Sequence, residues 1–148
     1  MPDRQTLRRA RKDAREGKAP STQAGEFVRE EIEHVREGKH GAKSAKQAIA
    51  IGLSKARRAG IKLPPPATRN SSPQTRRKAK LDSQASSKLQ KPAPKRAHAS
   101  TATLKKESRT ALSSAKISIH GRQAAADRTS NDRSVAAKKA AKTRAERR

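Results

Sequence analysis

Thirty-eight lysines and arginines, set against 13 aspartates and glutamates, are the most abundant reactive groups of this 148-residue sequence, which carries a formal net charge of +25. Their chemistry is electrostatic. Duplex DNA presents about one negative charge per 1.7 Å of axis, and each phosphate met by an ammonium or guanidinium releases a condensed counterion. The partner expected is therefore nucleic acid, duplex DNA ahead of RNA, bound largely without regard to base sequence. One phenylalanine, Phe27, and no tyrosine or tryptophan leave nothing for a base-stacking platform. The cations expected on phosphates fall in four groups. Arg8, Arg9, Arg11 and Lys12 come first, then Lys39, Lys43, Lys46, Lys55, Arg57 and Arg58. Arg76, Arg77, Lys78, Lys80, Lys95 and Arg96 follow, and Lys138, Lys139, Lys142 and Arg144 close the chain.

Other chemistry is sparse. Without cysteine there is no thiol catalysis, disulfide framework or thiolate metal site. The four histidines, His34, His40, His98 and His120, are scattered, and the closest pair, His34 and His40, misses the i, i+4 spacing of a helical metal site. Glu26, Glu30, Glu33 and Glu37 share one helical face, which reads as a solvated surface rather than an acid–base pair. Neither a phosphate-binding glycine loop nor a dinucleotide fingerprint occurs. The expectation is a protein that is not an enzyme, with no catalytic residues, no cofactor and no metal.

Only 30% of the residues are hydrophobic, many of them alanine, and such a chain at high net charge is expected to stay mostly disordered. Burial returns roughly 25 cal/mol per Å² of apolar surface, whereas ordering one residue costs about 1–2 kcal/mol. No apolar run reaches the roughly 18–20 residues of a membrane span, nor does a signal-peptide core lead the chain. A cytoplasmic protein of the bacterial nucleoid, away from membranes, is the expectation. Asn70-Ser71-Ser72 matches the N-glycosylation pattern by chance on this reading.

The elements that would position these residues change character at Pro64-Pro65-Pro66. Residues 1–63 hold 16 Lys/Arg and 8 Asp/Glu, a net of +8, and residues 64–148 hold 22 and 5, a net of +17. The first part is expected to form a small all-α head, with helices over about 3–16, 22–37 and 45–59. It is an αα-hairpin, with the first helix as an addition that forms when docked or bound. Gly17, Gly38 and Gly60 are the predicted stops, and Ser44 with Gln47 is a capping box. Ala24, Val28, Ile32 and Val35 make the apolar face of the second helix. Ala45, Ala48, Ile49, Gly52, Leu53 and Ala56 make that of the third, small enough for close approach. A head this small is expected to lean on a protein partner or a second copy. Residues 64–148 read as a disordered Lys/Arg/Ala/Pro/Ser tail, with the Lys91–Arg96 stretch extended.

The stretch from Glu26 to Gly41 (EFVREEIEHVREGKHG), followed by Ser44 to Ala56 (SAKQAIAIGLSKA), resembles a family of small basic bacterial proteins of unknown function. That family is marked by a Lys-Gln-Ala-Ile-Ala-Ile-(Gly/Ala)-Leu-Ser core. The resemblance spans about residues 5–66 and implies a bacterial source, with no activity attached. The tail resembles linker-histone-like bacterial tails in composition. Two alternatives stand beside DNA binding. One is a protein–protein adaptor that uses the hairpin and its acidic face, with the tail as a nucleic-acid tether. The other is an RNA- or ribosome-associated factor. The acidic face would either bind a partner or hold back the protein's own cations.

Overall fold

A glycine with a left-handed backbone closes each of the first three helices. In the computed structural model these are α1 (Arg4–Arg15), α2 (Pro20–Arg36) and α3 (Ala45–Arg58), ended by Gly17, Gly38 and Gly60 at φ 67°, 77° and 94°. Each stop carries the paired backbone bonds of a Schellman turn. At α2, the Gly38 amide donates to the Val35 carbonyl and the Lys39 amide to the His34 carbonyl, at 3.1 and 2.9 Å. The same pattern at α3 turns Ile61 back onto the core through its bond to the Ala56 carbonyl. The α3 start is set by Ser44, whose hydroxyl accepts from the Gln47 amide at 3.2 Å.

The structure describes residues 2–68, 71–85 and 93–146, which make up 136 of the 148. Asn70, Lys91 and Pro92, singled out above, lie outside them. Among the described residues there are four further α-helices: α4 (Pro73–Ala85), α5 (Pro94–Lys105), α6 (Ser114–Ala126) and α7 (Ser130–Ala145). A single 3-10 turn covers Thr110–Leu112, and no strand occurs among these residues. The expectation of a mostly disordered chain is therefore corrected: the basic second half is helical. Two local causes act there. Proline occupies the first turn of α4 and α5, where its missing N–H is no loss and its fixed φ is already helical. Side-chain caps start α6 and α7, Ser113 accepting from the Lys116 amide and Thr129 forming a full capping box with Asp132. None of the described helices is long and apolar enough to cross a membrane.

Two compact units result, one ending at Leu112 and the other beginning at Ser113. In the first, Phe27, Ala10, Ala24 and Ala56 form the buried centre, with Leu7, Leu53, Ile61 and Leu63 packed around it. Phe27, not counted on the apolar face above, is its largest member and is fully buried. Alanine and glycine let α2 and α3 approach closely: a Cβ added at Gly52 would sit 2.7 Å from the Val28 Cα. Past the prolines, α4 docks on α3 through buried Asp82, which accepts from the Ser54 hydroxyl at 2.6 Å and the Arg58 Nε at 2.9 Å. The segment after α5 docks too. The Gly41 amide donates to the Leu104 carbonyl at 2.8 Å and the Ala42 amide to the Ser108 carbonyl at 3.1 Å. At Gly41 any Cβ would overlap the Glu107 carbonyl, so only glycine fits. In the second unit, neither α6 nor α7 has a buried residue.

Candidate functional site

The candidate phosphate-binding cations divide by where the fold puts them. Thr6, Ala10 and Asp13 are the buried face of α1, so Arg8, Arg11 and Lys12 project to solvent, together with Arg4 and Arg15. Arg9 lies nearer the interface and its Nε stands 2.7 Å from a Glu26 carboxylate oxygen of α2. Lys43 and Lys46 are exposed at the start of α3. Lys39 is exposed but has its Nζ 3.0 Å from Glu37. On α4, Arg77, Lys78 and Lys80 are exposed and Arg76 is half-buried. Lys95 and Arg96 of α5 are exposed, as are Lys138, Lys139, Lys142 and Arg144 of α7.

Arg9, Lys55, Arg57 and Arg58 are tied to other parts of the fold, Arg9 and Arg58 while keeping 37% and 48% of their side chains exposed. Arg57 is buried, donates from Nη2 to the Pro64 carbonyl at 3.2 Å, and has its pKa lowered by that burial against the pull of Asp82. Arg58 clasps Asp82, with Nη2 and Nε both 2.9 Å from Oδ1. Lys55 is the centre of the most buried charge cluster. Its Nζ lies 3.0 Å from Glu30 Oε1 and 2.7 Å from Glu31 Oε2, and the two glutamates are 2% and 1% exposed.

The acidic stripe is a solvated surface only at its Glu33 and Glu37 end, where the side chains are 43% and 58% exposed. Glu26 and Glu30 receive α1: besides the Arg9 contact, the Asp3 amide donates to Glu30 Oε2 at 3.1 Å. Glu33 is tied to Arg29 at 2.9 Å, and Glu37 to Lys39. Burial pushes the Glu30 carboxyl up, but hydrogen bonds from Lys55, Thr6 and the Asp3 amide outweigh it and hold the carboxyl below its ordinary range. Burial likewise presses Lys55 down, while the bonds to Glu31 and Glu30 outweigh it and raise the ammonium above its usual value.

Next to this cluster the fold assembles what spacing along the chain separates. The Schellman turn at Gly38 reverses the backbone, so His40 returns beside the last turns of α2. His40 Nε2 lies 3.0 Å from Glu31 Oε1. The His34 and His40 rings stand edge to face, 6.0 Å between centroids. One ligand atom each from Glu31, His34 and His40 falls within 4.8 Å of the others, and Asp3, Glu30 and His34 form a second such group. His34 Nε2 is 3.5 Å from Asp3 Oδ2. Counting residues between histidines missed this grouping. The available signal was Gly38, a helix stop that predicts a chain reversal between them.

Residues 8–67 match a family of unknown function (DUF6496), to which this part of the chain is similar. No curated protein and no solved structure matches the chain.

Proposed function

We propose that the protein binds duplex nucleic acid without catalysing a reaction, by laying solvent-facing lysines and arginines of its helices against the phosphates. The observation that carries this reading is the separation of its cations. Carboxylates inside the first unit occupy Arg9, Lys55 and Arg58, whereas Lys138, Lys139 and Arg144 of α7 remain exposed in a chain of net charge +25. Such cations gain by counterion release and carry no base information. Because α7 is helical before it meets a ligand, binding does not have to supply the cost of ordering it. At 1.5 Å per residue its 16 residues span roughly 24 Å, the length of about seven phosphates on one strand. Bulk chromosomal DNA of the bacterial nucleoid is the fitting target for a binder without base readout. On the adaptor reading the acidic face offered to a partner narrows to Glu33 and Glu37, since Glu30 is buried and Glu26 is engaged by α1.

Fluorescence anisotropy with a labelled duplex, across a salt series, tests this. With 6–10 phosphates contacted, affinity should fall about 10³–10⁵-fold between 50 and 200 mM salt. Replacing Lys138, Lys139, Lys142 and Arg144 with glutamine should reduce the log–log salt slope by about 3–4. An unchanged slope removes α7 from the interface. No binding to the duplex in dilute buffer overturns the proposal, and tighter binding to RNA of the same length replaces DNA with RNA.

A further inference from the structure

We infer that Glu31, His34 and His40 form a binding site for one divalent transition-metal ion of the zinc class, independent of the phosphate-binding surface. The first argument is the tautomer of His40. Its Nδ1 lies 2.9 Å from the Gly41 carbonyl oxygen, which can only accept, so the ring hydrogen belongs on Nδ1. Nε2 then turns a lone pair towards Glu31 Oε1, another acceptor, across 3.0 Å. Two acceptors held this close require an electrophile between them, a proton or a metal ion. With zinc–ligand bonds of about 2.0–2.2 Å, neighbouring donors of a tetrahedral site stand about 3.3 Å apart, close to the separation seen here. A histidine whose second nitrogen donates to a backbone carbonyl is also the arrangement that orients metal-bound imidazoles.

Charge supplies the second argument. Glu30 and Glu31 are both buried, and Lys55 brings one positive charge to the two of them. Asp3 adds a further carboxylate 3.5 Å from His34. A dication on Glu31 and the two imidazoles meets that negative excess where the ligands already converge. The donor set decides the class of ion: two nitrogens and one oxygen suit zinc and its neighbours, while magnesium and calcium demand oxygen. The side chains of His34 and His40 keep 14% and 13% of their surface exposed, so an ion can reach them from solvent. The loop bearing His40 is held in place by the Gly41 and Ala42 amides on the Leu104 and Ser108 carbonyls.

The test uses the full chain freed of metal by a chelator. Titration of Zn²⁺ against a chromophoric competitor should give one ion per chain, undisturbed by excess Mg²⁺ or Ca²⁺. His34→Gln and His40→Gln should each weaken binding by at least about tenfold with the far-ultraviolet circular dichroism unchanged. A chain with both His98→Gln and His120→Gln should bind as the parent does. Should a His40 variant unfold, Co²⁺ in the unaltered chain still decides. Intense visible bands mark a four-coordinate nitrogen and oxygen site, and the weak spectrum of the hydrated ion overturns the proposal. So does Zn²⁺ binding that survives both single variants, or that is absent from the parent chain.

Discussion

The helices before Gly60 and those after Ser113 are built from similar residues, yet they use their charges in opposite ways. In α1–α3, besides exposed cations such as Arg8, Arg11 and Lys46, several complete the fold: Lys55 lies between Glu30 and Glu31, and Arg9 ties α1 to Glu26. In α6 and α7 no residue is buried, and a cation such as Lys142 meets a carboxylate of its neighbouring turn, Glu146, at 3.8 Å. A cation is therefore a structural part or a free ligand-binding group according to what its carboxylate partners do, not according to its own type. Net charge counts both kinds alike. Only the second kind is available to a polyanion.

The contrast can be broken most severely at its hydrophobic end. Phe27→Ala empties the centre of the first core and should cost about 3–5 kcal/mol, enough to unfold a unit of this size. Val135→Ala on α7, where the parent side chain is 57% exposed, should stay within about 0.5 kcal/mol. Urea midpoints of the two variants check this, and equal losses would erase the distinction. Charge comes next. Lys55→Met strands two buried carboxylates; removal of one partner from a buried pair costs about 3–5 kcal/mol, reduced here to about 2–3 because Lys55 keeps 23% of its side-chain surface. Lys142→Met, breaking an exposed i, i+4 contact, should change stability by less than about 0.5 kcal/mol. The same urea assay reads both, and a Lys55→Met midpoint at the parental value would refute the account of the cluster.

The smallest effect is in pH. The folded pKa of Glu30 lies below its unfolded value, so its contribution is present above about pH 4.5 and fades as pH falls through the folded value. The folded pKa of Lys55 lies above its unfolded value, so its contribution is present below about pH 10.5 and fades as pH rises through the folded value. The Glu30 and Lys55 contributions are both in full force between those limits, and one or the other fades on either side. In Lys55→Met the alkaline fall should flatten, which urea midpoints taken across the pH range would register.

How much of this the sequence disclosed depends on the range of the interaction. Local signals were readable: Ser44 capping the Gln47 amide, and glycines at 17, 38 and 60 that stop helices, are short-range rules of backbone geometry. The burial of Glu30 and Glu31 was not, because it depends on α1 and Lys55 arriving from elsewhere, and no spacing within α2 encodes that. The second half was misread for a different reason. Pro94 falls in the Lys91–Arg96 stretch expected to be extended, whereas it stands, like Pro73, at a helix start, and Thr129 with Asp132 is a capping box. Poverty in large apolar residues argued against a core there, and it is true that α6 and α7 have none. Local backbone preference and capping nonetheless give helices where no core does. His34 and His40 lie between these cases, adjacent only because a left-handed glycine folds the chain back.

The bonds from Gly41 to Leu104 and from Ala42 to Ser108 carry a consequence for synthesis. Helices α1–α3 can pack once residue 63 has cleared the ribosome, but the loop that holds His40 has to wait for a strand of backbone that emerges 66 residues after Ala42. From residue 63 to Ser108 is 45 residues, and at roughly 5–20 residues per second that delay is about 2–9 s. During it, the nascent chain has a finished core and an unfinished loop, and Gly41, with no side chain to obstruct the late arrival, keeps the socket open until Glu107 docks.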